Sequence, residues 1–283
     1  QNDIDASGRT WTPFGWKNEN AFTGTIDGKG HKITGLSSDG YSNAEQYENK
    51  AGTKGTPYAL IAYAKWDVTV KDLTLDVNFA QIDSNKLFTA GILSSYDFRK
   101  ITEEHTAGYK VLISNCTVNG TISGNDNVGG IMGANYIDNC DGAQFATVDF
   151  KIENCVNNAT LKSENRIGGI VGKVSTNEEG YKHSTGVVRK AVSFEIENCR
   201  NAAMSIETTH KDYGVGGIIG YLTNSSKNAL TKITNCTSET TDMKASAAGK
   251  CGKILYVGGA DNMIKYNNAE KLCSANTAYN DFQ

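Results

Sequence analysis

Six carboxylates sit in consecutive variable segments of this 283-residue chain: Glu103 and Glu104, Asp138 and Asp141, Glu178 and Glu179. Two of them brought to a separation of about 5 to 9.5 Å would suit glycoside hydrolysis, one donating a proton and the other serving as nucleophile or base. Their spacing in the chain does not make them converge. "DGKGH" (27–31) sets a Gly-His beside an Asp and invites a catalytic reading. Two glycines in the short gap between "FTGTI" and "HKITG" make a tight corner the simpler account. "SGNDNVGG" (123–130) gathers Asn and Asp without the alternating acidic spacing and closing Glu of a calcium loop, so a polar turn is the default. Nowhere does the chain carry a nucleophile motif, a metal-ligand constellation or a phosphate-binding Gly loop, and the residues point to no cofactor.

The seven cysteines pose the sharper question, because a Cys beside Asn has the chemistry of a metal ligand, a disulfide half, a nucleophile or a small apolar side chain. Self-similarity decides among these. "ISNCTVNGTISGNDNVGGIMG" (113–133) aligns with "IENCVNNATLKSENRIGGIVG" (152–172), with "IENCRNAAMSIETTHKDYGVGGIIG" (196–220) and with "ITNCTSETTDMKASAAGKCGKILYVGG" (233–259). Two degenerate copies precede them, "VKDLTLDVNFAQIDSNKLFTAGILS" (70–94) and "ITGLSS" (33–38) followed by "YALIA" (58–62).

One column of the alignment reads Gly35, Asp72, Asn115, Asn154, Asn198 and Asn235, the residue types that enter a left-handed backbone at least cost, so it is expected to be a corner. The next reads Leu36, Leu73, Cys116, Cys155, Cys199 and Cys236, an exchange of Leu for Cys that a buried position allows. In-register stacking keeps Cβ atoms about 4.8 Å apart, beyond the usual disulfide range, so four buried free thiols are expected. Cys140, Cys251 and Cys273 fall outside this ladder. The corners recur at 37, 43, 39, 44 and 37 residues, a solenoid period. Each repeat reads as a strand, a corner, a second strand, a turn, a Gly-rich third strand and a variable loop. A lone coil of this kind cannot bury its apolar residues, whereas stacked coils can. The expectation is an all-β solenoid, a parallel β-helix of about six coils with long loops on one face and capped ends, the Asn column adding a ladder of amides.

The stretch "WTPFGWKNENAFTGTIDGKGHKITGLSS" (11–38), followed by repeats of the form I-x-N-C…V-G-G-I-x-G, resembles bacterial proteins of the GLUG-motif type, within the pectate-lyase-like group of right-handed β-helices. The resemblance spans roughly residues 3–260. Ile replaces Leu in "GGIMG", "GGIVG" and "GGIIG", and "VGGAD" in the last copy loses the final Gly. It implies a right-handed coil and a secreted or cell-surface bacterial protein with adhesion or glycan contact, and it carries over no catalytic residue.

The loops after the third strand (94–110, 134–149, 173–193 and 221–229) emerge on one face of a solenoid. Tyr96, Phe98, Arg99, Tyr136, Asp138, Glu178, Tyr181 and Tyr221 are the candidate ligand contacts there, aromatic faces for sugar rings or protein and polar groups for hydroxyls. The competing reading packs the loop aromatics back onto the coil beneath. Trp11 and Trp16 in "WTPFGW" are better explained as a cover for the core's end than as sugar platforms. Lys plus Arg number 28 against 31 Asp plus Glu, so no basic field exists to hold nucleic acid. No apolar run approaches a membrane span. One domain is expected over 1–283, with a cap region at 1–20, coils over 21–259 and a cap or imperfect coil at 260–283. It is expected to be a monomer, trimmed of any signal or anchor and displayed outside the cell, binding a glycan or host surface protein. A polysaccharide-acting enzyme and a passive spacer are the alternatives.

Overall fold

A computed structural model describes residues 2–16, 18–38, 47–48, 54–55, 57–80, 88–98, 101–135, 144–177, 179–182, 186–209, 214–224, 231–245, 251–252 and 254–255. These residues are almost all β, with a 3-10 turn at Asn18–Asn20 and no α-helix among them. The proposed C-terminal cap at 260–283, Cys140 and Cys273 lie outside the described residues.

Three parallel sheets, in which each repeat pairs with the next, hold most of the strands, and two short antiparallel hairpins, Tyr47–Glu48 with Lys54–Gly55 and Tyr181–Lys182 with Val188–Arg189, stand apart from them. One sheet takes the strand before each corner: Phe22–Asp27, the second half of Ile61–Lys71, His105–Ser114, Ala146–Glu153, Val192–Glu197 and Thr231–Thr234. A second takes the strand after it, among them Lys32–Ser37, Thr74–Phe79, Thr117–Gly124 and Thr160–Ser163. The third is built from the Gly-rich dipeptides Val128–Gly129, Ile167–Gly168 and Val215–Gly216, between Thr89–Ala90 and Cys251–Gly252. The short strands after these dipeptides, such as Met132–Ala134 and Val171–Thr176, join the first sheet through Ile61–Lys71.

The register makes columns of like residues. Ile26 pairs with Val70, Val70 with Ile113, Ile113 with Ile152, Ile152 with Ile196, and Ile196 with Ile233. From Val70 to Ile233 all are buried, each worth about 1.5 to 3 kcal/mol of transfer from water. Phe150 stacks on Phe194, centroids 5.5 Å apart, in the same interior.

The corner column is left-handed: φ is 53° at Asp72, Asn115, Asn154 and Asn198 and 52° at Asn235. Its first member needs correcting. Gly35 has φ 70° but lies inside the strand Lys32–Ser37, at a register shift between Ile33 and Leu36, and Leu36 pairs with Val77 rather than lying under Leu73. The first corner is the "GKG" turn, where Lys29 has φ 51°, Gly28 N–H donates to Lys71 O and Gly30 N–H donates to Asp72 O. Asp27 accordingly pairs with Lys71, matching the longer repeats rather than the 37-residue step read from the sequence. Gly-Leu at 35–36 imitates the pattern because a bulge and a corner both select for a residue tolerant of positive φ.

Candidate functional site

In the interior between the sheets the chemistry is structural. Cys116, Cys155, Cys199 and Cys236 are free and buried. Each sulfur repeats one arrangement: Cys155 Sγ lies 3.2 Å from Glu153 O and 3.6 Å from Ile113 O of the preceding repeat. Hydrogen bonding to Cys116 and Cys199, together with burial, pushes the Cys155 thiol well up, and Cys199 with burial does the same to Cys236. Cys116 and Cys199 shift down through hydrogen bonds from the thiols beside them, not through any cation. The column therefore lacks the electropositive setting of a reactive cysteine. Among the described residues no group of three or more His, Cys, Asp or Glu is placed to hold a metal ion.

The amide ladder runs mainly elsewhere than along the corner. At the corner, Asn115 Nδ2 donates to Asp72 Oδ1 at 2.9 Å. Further along the second strand, Asn158 donates to Asn119 and Asn119 to Asp76. The buried ladder is two residues past the cysteines: Asn157 Nδ2 donates to Asn201 Oδ1, and Asn201 Nδ2 donates to Ser238 Oγ and Thr240 Oγ1. A Cβ on Gly130 would overlap the Asn157 amide, and one on Gly169 the Asn201 amide, which is why the third strand carries a second glycine. The recurrence of Asn, Asn and Ser two places after Cys was the sequence signal for this ladder.

Outside, alternation in the first sheet turns Thr147, Asp149, Lys151 and Glu153 outward while Val148, Phe150 and Ile152 point into the core. Register aligns Lys110 with Asp149 and Ser193, and Leu112 with Lys151, Glu195 and Lys232. These side chains line a groove of about 390 Å³ across four consecutive strands. Lys151 sits between Glu153 at 2.9 Å and Glu197 at 3.1 Å, and these hydrogen bonds raise its pKa. Ser193 donates to Asp149. The groove thus offers ammonium, carboxylate and hydroxyl groups beside Leu112, over the backbone of Val111, Phe150 and Phe194, whose side chains face the core.

Upstream on the same strands, His105 and Tyr109 stack at 4.4 Å around a bulge, and Tyr109 is half-buried. In the repeat before, Trp66 is 40% exposed with Lys65 Nζ 4.5 Å from its ring centroid. Asp67, its neighbour, accepts from Lys110 N–H at 2.8 Å, tying this aromatic margin to the groove.

At the strand entrances Glu104, Gln144, Phe145, Glu179, Val188, Arg189 and Lys190 line a second cleft of about 400 Å³. Here two of the six expected carboxylates meet: Lys190 Nζ lies 3.5 Å from Glu179 Oε1 and 4.0 Å from Glu104 Oε1. Both are open to water, 60% and 67% exposed, and share one cation. That arrangement lacks the apolar enclosure by which a glycosidase keeps one carboxyl protonated.

The ligand contacts expected in the loops are not gathered in this way. Tyr96 and Phe98 are buried, packed edge to face on each other at 5.1 Å, with Tyr96 also against Phe150 and its hydroxyl donating to Trp66 O. They belong to the core and present no ring face to a ligand. Tyr221 is half-buried under the Arg166 guanidinium, which also binds Asp126 at 2.8 Å. Arg99, Tyr136, Asp138 and Glu178 lie outside the described residues; Tyr181 belongs to a short hairpin strand whose side chain is likewise outside them. The strand-face residues were missed because their alternation was read only for its buried half. Comparison of the chain with protein-family models, with curated proteins and with solved structures finds no match.

Proposed function

We propose that this chain is a right-handed parallel β-helix of about six coils that acts as a non-catalytic, cell-surface or secreted binding module for a glycan or a host surface protein. The in-register parallel pairing of successive repeats supports the coil. One observation carries the function: the groove over Lys110–Leu112, Asp149–Lys151, Ser193–Glu195 and Lys232. Its strands lie about 4.8 Å apart, close to the advance of one pyranose unit, so successive repeats would set their outward side chains, Lys and Leu, then Asp and Lys, then Ser and Glu, beside successive sugars. Residues of both signs with a hydroxyl suit polyols better than a uniformly charged partner, which favours a glycan over a polyanion. The GLUG-type pattern is consistent with that role at a bacterial surface.

A glycan array of host-mucin and plant oligosaccharides, run beside a reducing-sugar release assay, tests this. Binding without release supports the module. Release abolished by Glu104→Gln or Glu179→Gln would make the cleft at Lys190 a catalytic site and overturn it, and neither binding nor release would leave the chain a spacer.

A further inference from the structure

Cys116, Cys155, Cys199 and Cys236 hold their sulfurs in one repeated pose. Each Sγ lies 3.2 or 3.3 Å from the carbonyl oxygen two residues back in its own strand, and 3.6 to 3.8 Å from a carbonyl oxygen of the preceding repeat. The backbones are linked alike: Val156 N–H donates to Cys116 O, Arg200 N–H to Cys155 O and Thr237 N–H to Cys199 O, at 2.8 to 3.0 Å. Side chains in one conformation on stacked strands are separated by the strand spacing, so neighbouring sulfurs stand about 4.8 Å apart. That is far beyond the disulfide bond of about 2.05 Å. It is close to the span of two metal–sulfur bonds of about 2.3 Å laid end to end, about 4.6 Å.

From this spacing we infer that the column binds a soft cation that takes two thiolates in a line, one ion between Cys116 and Cys155 and a second between Cys199 and Cys236. Soft ions select thiolate over oxygen ligands. Sulfurs in a row do not converge on one ion in threes or fours, so the column does not suit the tetrahedral coordination of zinc. That agrees with the lack, among the described residues, of any cluster of three or more ligands for a metal. Charge narrows the class further. All four sulfurs lie within the apolar core, where an unpaired charge is costly. A divalent ion that displaces one proton from each of two thiols leaves a neutral bis-thiolate, whereas a monovalent ion would leave a buried anion. Mercury(II) is the ion of that chemistry. Bound in this way it would tie neighbouring repeats together at the spacing they already have, independently of the groove on the outer face.

The test uses the full chain with Cys140→Ser, Cys251→Ser and Cys273→Ser, so that only the column carries thiols. Two double variants in this background keep the same number of thiols at different spacing. Cys116→Ala with Cys155→Ala leaves Cys199 and Cys236 adjacent, whereas Cys116→Ala with Cys199→Ala leaves Cys155 and Cys236 two steps apart. Each protein is brought to equilibrium with mercuric chloride, washed with a monothiol such as mercaptoethanol, and its retained ions are counted by native mass spectrometry. The expected result is two ions on the intact column, one on the adjacent pair and none on the separated pair, with a higher melting temperature for the loaded intact column. X-ray absorption of the loaded intact column should show two sulfurs per ion at about 2.3 Å. That measurement needs no column variant, so it decides the matter even where the double variants fold poorly. A separated pair that retains as much mercury as the adjacent pair, one sulfur per ion, zinc chloride retained equally well, or no mercury retained by the intact column would each overturn the inference.

Discussion

Asn157 donates through Nδ2 to Oδ1 of Asn201 at 2.9 Å with both side chains fully buried, and each carboxamide oxygen also accepts a backbone N–H two residues on, from Ala159 and Ala203. Two repeats are thereby locked at the same height by atoms that water cannot reach. A buried amide left without partners costs about 1 to 3 kcal/mol.

Asn201→Ala is therefore expected to destabilise the chain by about 2 to 3 kcal/mol, because Asn157, Ser238 and Thr240 all lose a partner. Asn154→Ala, which takes from the left-handed corner the short polar side chain that makes Asn tolerant of it, should cost about 1 to 2 kcal/mol. Urea unfolding of both variants checks the order. Equal stability of Asn201→Ala and wild type would remove the inner ladder from what holds the repeats together.

Tyr96 and Phe98 are core residues, so Phe98→Ala should lose about 3 to 5 kcal/mol. Tyr96→Phe removes only the hydroxyl bond to Trp66 O and should lose about 1 kcal/mol. Neither change should weaken ligand binding beyond what unfolding explains. A Phe98→Ala protein that melts like wild type but binds less would return this segment to the ligand surface.

On the groove, Lys232→Ala and Glu195→Ala replace outward side chains that line it. Each is expected to weaken glycan binding by about three- to tenfold, with stability changed by less than about 0.5 kcal/mol. Titration calorimetry beside chemical unfolding separates the two effects. Unchanged affinity in both variants would move the site off this face.

The thiol column sets an alkaline limit. Cys155 and Cys236 are raised above the ordinary thiol value of 9.0, so above that pH the unfolded chain loses protons that the folded chain keeps. The unfolded state then binds fewer protons, and stability falls as pH rises. Cys116 and Cys199 are lowered only while the thiols beside them stay protonated, so they do not extend the folded range upward. Melting temperature should decline from about pH 9, and Cys155→Ala with Cys236→Ala should flatten that decline. In the native state near neutrality the four thiols should react with a thiol reagent far more slowly than in denaturant.

The corner was legible in the sequence because left-handed backbone restricts the choice of residue, and the restriction recurs: Asn115-Cys116, Asn154-Cys155, Asn198-Cys199 and Asn235-Cys236 leave little alternative. The tight corner read in "DGKGH" is present at Lys29, but the first repeat was misplaced because Gly35 at a bulge imitates the corner column. The site was less legible. Whether Tyr96 and Phe98 turn in or out depends on Phe150, more than fifty residues on, and no local pattern reports that contact. Lys151 and Glu195 were in plain view as the polar half of an alternating strand, but their alignment on one height requires the register between strands.

The pairing of each repeat with the next has a mechanical side. Backbone hydrogen bonds such as Asn115 N–H to Glu153 O and Asn154 N–H to Glu197 O join one repeat to its neighbour, so a pull between the two ends of the chain loads them in series. Bonds loaded in that direction give way repeat by repeat, like a zipper, not all together as in a sheared sheet. Each rupture would free one repeat, between 37 and 44 residues, or about 120 to 155 Å of extended chain. Under such a pull the chain would lengthen in steps at low force, each released repeat absorbing work before the next gives way.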